Sequence, residues 1–412
     1  MALQPVRGTH DLLPEESQKH RWLIETALKT ANVYGFKEIA TPIFEFSEVF
    51  QRTLGEASDI VSKEMYTFLD RGGDSITLRP EGTAGIARAF ISNGLAQSLP
   101  LKLFYHGPMF RYERPQKGRL RQFHQIGVEF LGVESFEADV ECIALAHEIL
   151  QAFKLSEKFQ LEINTIGDVE SRRKYTEELV SYLNFHKEKL SKDSQRRLEQ
   201  NPLRILDSKD TEDHLILKDA PQMQGFLNET SKLFYGNLKT ALSDLGIAFV
   251  ENPLLVRGLD YYCHTVFEFK AEGLGAQNTL LAGGRYDSLI EQMGGTKTPG
   301  VGWASGLERL SLLLEPKQLS SRPITFVTMG DEAQACARKL THQLRCQGVY
   351  VETLFSGNLG KKMKKAAEKF NSRAALVLGS EELKKSCVVW KDLDSGEQEE
   401  VAFEDLLGRA QK

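Results

Sequence analysis

The chain has 412 residues and a mass of 46.4 kDa, length for two or three domains. With 41% hydrophobic and 26% charged residues and a formal charge of -5, its composition is that of a globular chain; this excludes a wholly basic nucleic-acid coat but not a partner met by local basic patches. There is no run of about 18 apolar residues, no apolar secretory core in the first residues and no C-x-x-C pair among five cysteines, so neither a membrane span, a disulfide framework nor a cysteine-rich zinc site is expected, and a reducing cytoplasm fits.

Trp22, Leu23, Ala27, Leu28 and Ala31 recur at helical spacing and predict a helix over 16–34 that Gly35 stops. Phe36 to Phe46 reads as extended chain around Pro42. EMYTFLD and SITLRP, joined by Arg71-Gly72-Gly73, read as a hairpin. A helix is expected over 83–93 with Thr83 as its N-cap. Residues 101–133 predict a long hairpin, KLFYHGPMFRYER and RQFHQIGVEFLG, with a basic tip between them. Residues 138–153 read as a helix, in which His147-Glu148 is an ordinary surface pair, and 170–245 as a mostly helical, charged appendage. LLVRGLDYY, TVFEFKA and NTLLAGGRYD read as strands, GLERLSLLL as a short apolar helix and 315–323 as a linker. Beyond it, strand-like and helix-like text alternates (ITFVTMG, 331–347, VYVETLF, 358–370, RAALVLG), which indicates a small α/β domain.

The chain carries no G-x-x-x-x-G-K-[ST] and no G-x-G-x-x-G in a βαβ setting, so arginines rather than a glycine cradle would have to meet any nucleotide. Arg111, Arg114, Arg119 and Arg121 lie on or beside the hairpin turn with Lys117, and guanidinium forks match phosphate oxygens in pairs. Phe123, two residues after Arg121, is expected on the same face, where its ring could stack a base. Glu113 could accept a base amino proton or help hold magnesium. The same text also suits a solvated edge that blocks aggregation. The segment from Arg257 to Tyr262 is polar for a core strand and reads either as a pocket wall or as structure. Arg309 sits in the first turn of a helix whose Leu307, Leu310, Leu313 and Leu314 face a core, a place the helix dipole does not favour for a cation.

In this order the three constellations resemble the signature motifs of class II aminoacyl-tRNA synthetases. With RGTHDLLP (7–14), LRPEGT (78–83), RGLDYY (257–262) and AGGRYD (282–287), the set is similar to the histidyl-tRNA synthetase family over essentially the full chain. The first motif is the helix at 16–34 with the strand ending at Pro42, the second is FRYERPQKGRLRQFHQIGVE at 110–129, and the third is GVGWASGLERL at 300–310. The resemblance implies an α+β fold: a class II core over 1–320, its antiparallel sheet flanked by helices, a mainly helical insertion at 166–250, and a C-terminal α/β anticodon-binding domain at 323–412. It implies ATP-dependent ligation of L-histidine to tRNA(His) through a histidyl-adenylate, in a cytoplasmic homodimer formed through the first motif. Mg2+ is expected on the ATP, with no dedicated protein cage.

The resemblance also implies roles. Arg111 would hold the α-phosphate and the amino-acid carboxylate, and Arg257 would approach the same phosphate from the opposite side. Phe123 would stack on adenine with Glu113 near its amino group, and Arg121 and Arg309 would grip the outer phosphates. Glu81, Gly82, Thr83 and Gln125 would form the histidine α-amino site. Glu129, Tyr262 and Tyr286 would reach the imidazole, with Tyr261 lining the pocket. Arg114, Gln116 and Arg119 would meet the tRNA acceptor end. Lys361, Lys362, Lys364, Lys365 and Lys369, clustered on one predicted helix with Glu368 its only acid, would face the anticodon stem.

Two alternatives are a catalytically inactive, synthetase-like regulatory subunit of histidine biosynthesis and a ligase for another amino acid of the subclass. Retention of Arg111, Arg257 and Arg309 with a terminal domain opposes the first. Glu129 with Tyr262 opposes the second, since an acid facing imidazole suits histidine. The chain departs from the family pattern at Cys263-His264, Trp303 and Ser305. The first pair is expected to affect only local packing, and the other two the floor beneath the nucleotide.

Overall fold

The computed structural model describes residues 3–54, 60–116, 118–155, 158–259, 261–271, 278–314, 322–354 and 357–411. Lys117, Asp260 and most of the expected linker lie outside the described residues. The chain divides into two units, Met1–Glu315 and Pro316–Lys412.

The first unit opens with α1 (Pro14–Val33), then β1 (Lys37–Glu38), β2 (Phe44–Phe46), α2 (Ser47–Leu54), β3 (Tyr66–Leu69), β4 (Ser75–Leu78) and α3 (Thr83–Ser92). The hairpin β5 (Leu101–Phe110) and β6 (Gln122–Leu131) follows, with α4 (Glu137–Ala152) and β7 (Phe159–Thr165). Helices α5 (Val169–Phe185), α6 (Lys192–Gln200), α7 (Thr211–Leu217) and α8 (Glu229–Asp244) fill the interval before β8 (Phe249–Glu251). The unit closes with β9 (Cys263–Ala271), β10 (Thr279–Arg285), α9 (Leu289–Gln292), β11 (Gly300–Gly306) and α10 (Leu307–Ser311).

Among the described residues, eight strands form one sheet in the order β1-β5-β6-β11-β10-β9-β7-β8. Its middle is antiparallel, and only the edge pairs β1–β5 and β7–β8 are parallel. A small antiparallel sheet, β2-β4-β3, stands apart from it.

Strand alternation gives the large sheet two different faces. Ile126, Val128 and Phe130 of β6 join a core with Leu23, Ala27 and Ala31 of α1 and Ile143 and Ile149 of α4. On α1 these apolar residues recur four apart, the spacing of one helical stripe. Pro14 starts the helix with Glu15 and Glu16 in its first turn, and Gly35, at φ +83°, ends it. From the opposite face of β6, Gln125 lines a cavity, and Glu129 is buried beside it.

The helices of 169–244 are polar, and each begins with a side-chain cap. Asp168, Ser191, Asp210 and Asn228 each accept a backbone N–H in the following first turn. Buried Asp213 ties the group together by accepting from the hydroxyls of Ser191 (2.8 Å), Ser194 (2.6 Å) and Ser208 (2.6 Å).

Two local expectations fail here. Thr83 is the first residue of α3 rather than its cap. Glu81 does the capping, accepting from Thr83 N (2.7 Å) and Ala84 N (2.8 Å), because a carboxylate there also meets the positive helix end. The LLVRGLDYY text is not a strand, and β9 begins only at Cys263. Side chains from elsewhere satisfy this segment's backbone: Asn164 Nδ2 donates to the Pro253 and Leu255 carbonyls (3.2 and 3.0 Å), and Asn252 Oδ1 accepts from Leu254 N (3.0 Å). These bonds hold the start of the segment in place without a ladder partner.

The second unit alternates β12 (Ile324–Thr328), α11 (Asp331–Cys346), β13 (Val351–Thr353), α12 (Leu359–Lys364) and β14 (Ala374–Leu378). It then adds α13 (Ser380–Lys384), the antiparallel strands β15 (Cys387–Asp392) and β16 (Gln398–Ala402), and α14 (Leu406–Ala410). The sequence reading stopped at β14 and did not include that hairpin. The lysines of 361–369 do not share one face either. Lys362 is buried and donates from Nζ to the Thr328 carbonyl (2.8 Å), while Lys361, Lys364, Lys365 and Lys369 are exposed.

Candidate active site

A cavity of about 380 Å³ opens on the face of the large sheet away from α1 and α4. It brings together Glu81, Thr83, Arg111, Glu113, Arg119, Phe123, Gln125, Arg257, Tyr261, Tyr262, Tyr286 and Arg309, residues from five separate stretches of chain. Glu129 is buried beside it, joined to Thr83 and Tyr286. The sequence reading missed Tyr105, Lys209 and Glu308, which also line the space. Tyr105 had a readable signal only in its glycine neighbours. A Cβ at Gly82 or at Gly127 would run into the Tyr105 ring, so both positions are bare to let one side chain lie across them. Gly82 thus serves the pocket by giving room.

At the inner end sits a carboxyl cluster. Glu129 accepts from the Thr83 hydroxyl (2.7 Å) and from the Tyr286 hydroxyl. Burial pushes its pKa up to about 8, only partly opposed by those two hydrogen bonds. Glu81 is likewise raised by burial, against the pull of the α3 backbone N–H groups. Gly302 lies against Glu129, and a Cβ there would strike the carboxylate and the Val128 carbonyl. The rings of Tyr261, Tyr262 and Tyr286 pack together, with centroids 4.6 and 5.7 Å apart for the pairs that Tyr261 makes.

Toward the mouth the site turns positive. Arg111 Nε donates to the Pro80 carbonyl (2.9 Å), and its guanidinium lies 5.4 Å from the centre of the Phe123 ring. Burial lowers its pKa, as does the charge of Arg257. Burial also opposes the charge of Arg257, yet Glu268, with which it is ion-paired, helps to hold its pKa above the ordinary guanidinium value. Arg309 lines the space with its charge disfavoured by burial and by Arg119.

Several buried polar atoms in the cavity wall have no hydrogen-bond partner: Tyr105 Oη, Gln125 Oε1 and Arg257 Nε. Buried polar groups are nearly always satisfied. A wall of unmet donors and acceptors beside clustered arginines is therefore a site made for a polar, anionic ligand.

Three expected site residues, Arg121, Arg114 and Gln116, stand outside the cavity lining. Arg121 does not line this cavity; its guanidinium lies over the Tyr112 ring, 3.9 Å from the centroid, and Nε donates to the Glu113 carbonyl (3.2 Å). It precedes the first residue of β6, so strand alternation does not carry it to the face of Phe123. Arg114 and Gln116 also lie outside the lining, on the hairpin tip, where Gln116 bridges Arg119. Trp303 is among the residues lining the cavity, as expected of its floor, but its ring packs in the helix-side core and its Nε1 donates to the Cys142 carbonyl (3.0 Å); Ser305 is outside the lining and donates to the Leu280 carbonyl (2.6 Å), so neither side-chain polar group is offered to the cavity. His264, at φ +47°, sits where the β9–β10 register shifts and stacks on Phe234 at 4.7 Å, a packing role.

The family model for histidyl-tRNA synthetase matches residues 8–310, and that for an anticodon binding domain matches 324–412. The chain is 57% identical to a protein of Rhodospirillum rubrum named histidine–tRNA ligase, over 412 residues and 99% of each chain. It is 54% identical to one of the same name from Gluconobacter oxydans, over 98% of this chain and 97% of that one. The crystal structure of apo histidyl-tRNA synthetase from S. aureus superposes with a TM-score of 0.81 at 37% identity, covering 100% of both chains.

Proposed function

Since the chain belongs to the histidyl-tRNA synthetase family, we propose a division of labour within its cavity for the reaction it catalyses. The enzyme ligates L-histidine to tRNA(His) at the expense of ATP, through a histidyl-adenylate, and releases AMP and pyrophosphate. In the first step the histidine carboxylate attacks the α-phosphorus in line. Attacker and phosphate are both anionic, so catalysis consists of positioning and positive charge, and no protein nucleophile is required. In the second step a terminal ribose hydroxyl of the tRNA attacks the adenylate carbonyl.

Arg111 and Arg257 reach the cavity from different parts of the fold, the end of β5 and the segment before β9, which suits them to flank one phosphate. Phe123 offers a face for adenine with Glu113 close by. Arg309 grips the outer phosphates, assisted by Arg121 only if that side chain leaves Tyr112. Glu81, Thr83 and Gln125 hold the α-amino group, while Glu129, Tyr262 and Tyr286 receive the imidazole and Tyr261 closes the wall. The observation that carries this reading is the set of unmet buried donors and acceptors around a carboxyl-lined inner end and an arginine-lined mouth. Its test is amino-acid-dependent pyrophosphate exchange. Exchange should require histidine, and equal rates with threonine or proline would remove the specificity assignment. A pocket that pairs both imidazole nitrogens leaves polar groups unmet when another amino acid enters, and so rejects analogues by about 10⁴–10⁵ without editing.

The oxygen donors available suit Mg2+ bound chiefly by phosphate and water. Glu113, already facing Arg119 and Arg111 (3.9 Å), is the carboxylate that would meet it, and the ion would offset charge on the outer phosphates. The hairpin tip, with Arg114, Gln116 and Arg119, faces the acceptor end, and the exposed Lys361, Lys364, Lys365 and Lys369 the anticodon stem. We assign the catalytic core to 1–320, the insertion to 166–250 and the anticodon-binding domain to 323–412. No helix is long and apolar enough to cross a membrane among the described residues, which accords with a cytoplasmic enzyme.

A homodimer through the first motif that extends onto the small sheet just after it would cover an otherwise costly surface. Phe44, Phe46 and Phe68 are 58%, 58% and 49% exposed on the small sheet. Phe46 and Phe68 both stand opposite Ile76 and so share a face. Such a bare apolar face marks an association surface. Replacing Phe46 and Phe68 together with Asp is expected to yield monomers by sedimentation, and an unchanged dimer would place the interface elsewhere.

Glu129 sets a pH dependence. Its folded pKa of about 8 lies above its ordinary value near 4.5. Between those values the folded state therefore binds the extra proton, and this carboxyl makes stability fall as pH rises. Histidine binding runs the other way, because the carboxylate that accepts from the imidazole forms only as pH approaches 8. KM for histidine should fall from pH 6 to pH 8, and Glu129→Gln should raise KM and flatten the upper part of that profile. A profile identical in the variant would exclude the role.

A further inference from the structure

On the other side of β6 lies a cluster to which no role in the reaction has been given, although one of its members, Glu308, also reaches the edge of the catalytic cavity. His124 follows Phe123, and Glu308 precedes Arg309, so each flanks a residue of the nucleotide site. Glu308 accepts from His124 N (2.8 and 3.0 Å) and stands 2.9 Å from His124 Nδ1. His20, from the middle of α1, meets the His124 ring edge-on, with centroids 5.2 Å apart at 73°. One donor atom from each of His20, His124 and Glu308 lies within 4.8 Å of the others. His20 is only 6% exposed, and its Nδ1 has no hydrogen-bond partner.

From this arrangement we propose that His20, His124 and Glu308 form a binding site for a borderline divalent transition-metal ion, Zn2+ in the first place. Two imidazoles and one carboxylate are a donor set that suits zinc, with a further position left for water. His147 and His264 also carry an unpaired Nδ1, but among the described residues His20 is the one whose ring stands beside a second imidazole and a carboxylate, where an ion would offset the cost of leaving a buried polar atom without a partner. Burial also holds the His20 pKa below its ordinary value, which keeps a lone pair available at neutral pH.

A cleft of about 270 Å³, lined by His10, Glu16, His20 and Glu308 among others, leads to the cluster and gives an ion access and room for a water ligand. Bonds of about 2.0–2.2 Å require the donors to draw in by on the order of 1 Å, a side-chain adjustment. The ion would take the place of the contact between His124 Nδ1 and Glu308, with any proton on Nδ1 moving to Nε2 of the same neutral ring. The site stands independently of the roles assigned to the cavity residues, since it is read from metal binding alone.

The test is titration of the metal-free full-length enzyme with Zn2+ by calorimetry, repeated with Co2+ and followed by visible absorption. Wild type is expected to take up one equivalent, and the Co2+ form to show d–d bands without a thiolate charge-transfer band. His20→Phe keeps the ring contact but removes the nitrogens, and Glu308→Gln keeps an oxygen acceptor but removes the charge. Each should weaken binding by more than the roughly 10–100-fold that loss of an outer-shell partner costs. Absence of binding to wild type overturns the proposal, as does binding unchanged in both variants. So does a thiolate band, which would direct the ion to Cys346, 3.7 Å from His342 in the second unit.

Discussion

Replacing Arg257 with alanine is expected to slow histidyl-adenylate formation by about 10²–10³-fold, or ~3–4 kcal/mol, with a much smaller change in histidine affinity. The expectation rests on how firmly the guanidinium is held before substrate arrives. Glu268 pairs with Arg257, Lys270 lies 3.4 Å from Glu268, and Lys270 pairs in turn with Glu162 at 2.7 Å. This relay of alternating charge fixes one edge of the guanidinium and leaves Nε buried and unpaired. A donor aimed in advance costs no reorganisation when negative charge moves onto the phosphate in the transition state. Arg257→Lys should recover only part of the loss, since an ammonium keeps the charge but not the fork. Rapid-quench measurement of a single activation turnover separates this step from product release. A turnover unchanged in the alanine variant would take Arg257 out of the reaction.

A second large effect is expected at Arg285, within AGGRYD. This arginine is fully buried, donates from Nε to Asp139 (2.9 Å), pairs with Asp287 (3.0 Å), and donates to the carbonyls of Val133 (3.0 Å) and Ser135 (2.9 Å). Arg285→Ala leaves Asp139 buried without its partner and should cost about 3–5 kcal/mol in the unfolding of the first unit. Asp139→Leu combined with Arg285→Met, which removes both charges and keeps much of the volume, should recover most of that. Successive strand residues face opposite ways, so Arg285 anchors the far side of the strand end whose next residue, Tyr286, touches Glu129. KM for histidine should therefore rise in Arg285→Ala even at temperatures where the protein stays folded. Denaturation curves for the single and double variants, read with KM, check both parts. A loss below about 1 kcal/mol would contradict the burial argument.

The long hairpin, α1 and the short helix after β11 were legible because each carries its own period. Ile126, Val128 and Phe130 alternate against Gln125 and Glu129, and Leu23, Ala27 and Ala31 repeat by four. The segment before β9 was misread because Leu254, Leu255 and Val256 look like a strand, while the groups that satisfy its backbone, Asn164 and Asn252, lie outside those residues. Arg121 took its phosphate role from the family resemblance, and only its shared face with Phe123 came from counting in twos past the point where the strand begins. Lys362 looked like its neighbours in composition, and only the packing of α12 on β12 buries it. The cluster of His20, His124 and Glu308 has no local signature at all. Its members lie far apart along the chain and meet only when α1, β6 and α10 converge. Long-range convergence of this kind is what a single sequence does not display.

The bare backbone at Gly302 has a consequence for anyone who wishes to recode this enzyme for an unnatural amino acid. The Glu129 carboxylate and the Val128 carbonyl of the neighbouring strand occupy the space a side chain would need there, so position 302 accepts none. Libraries that vary 302 alone will return inactive or misfolded clones. Shortening Glu129 removes only one of the two clashes, because the Val128 carbonyl still meets a Cβ there, so any recoding has to leave position 302 as glycine and vary the side chains around it.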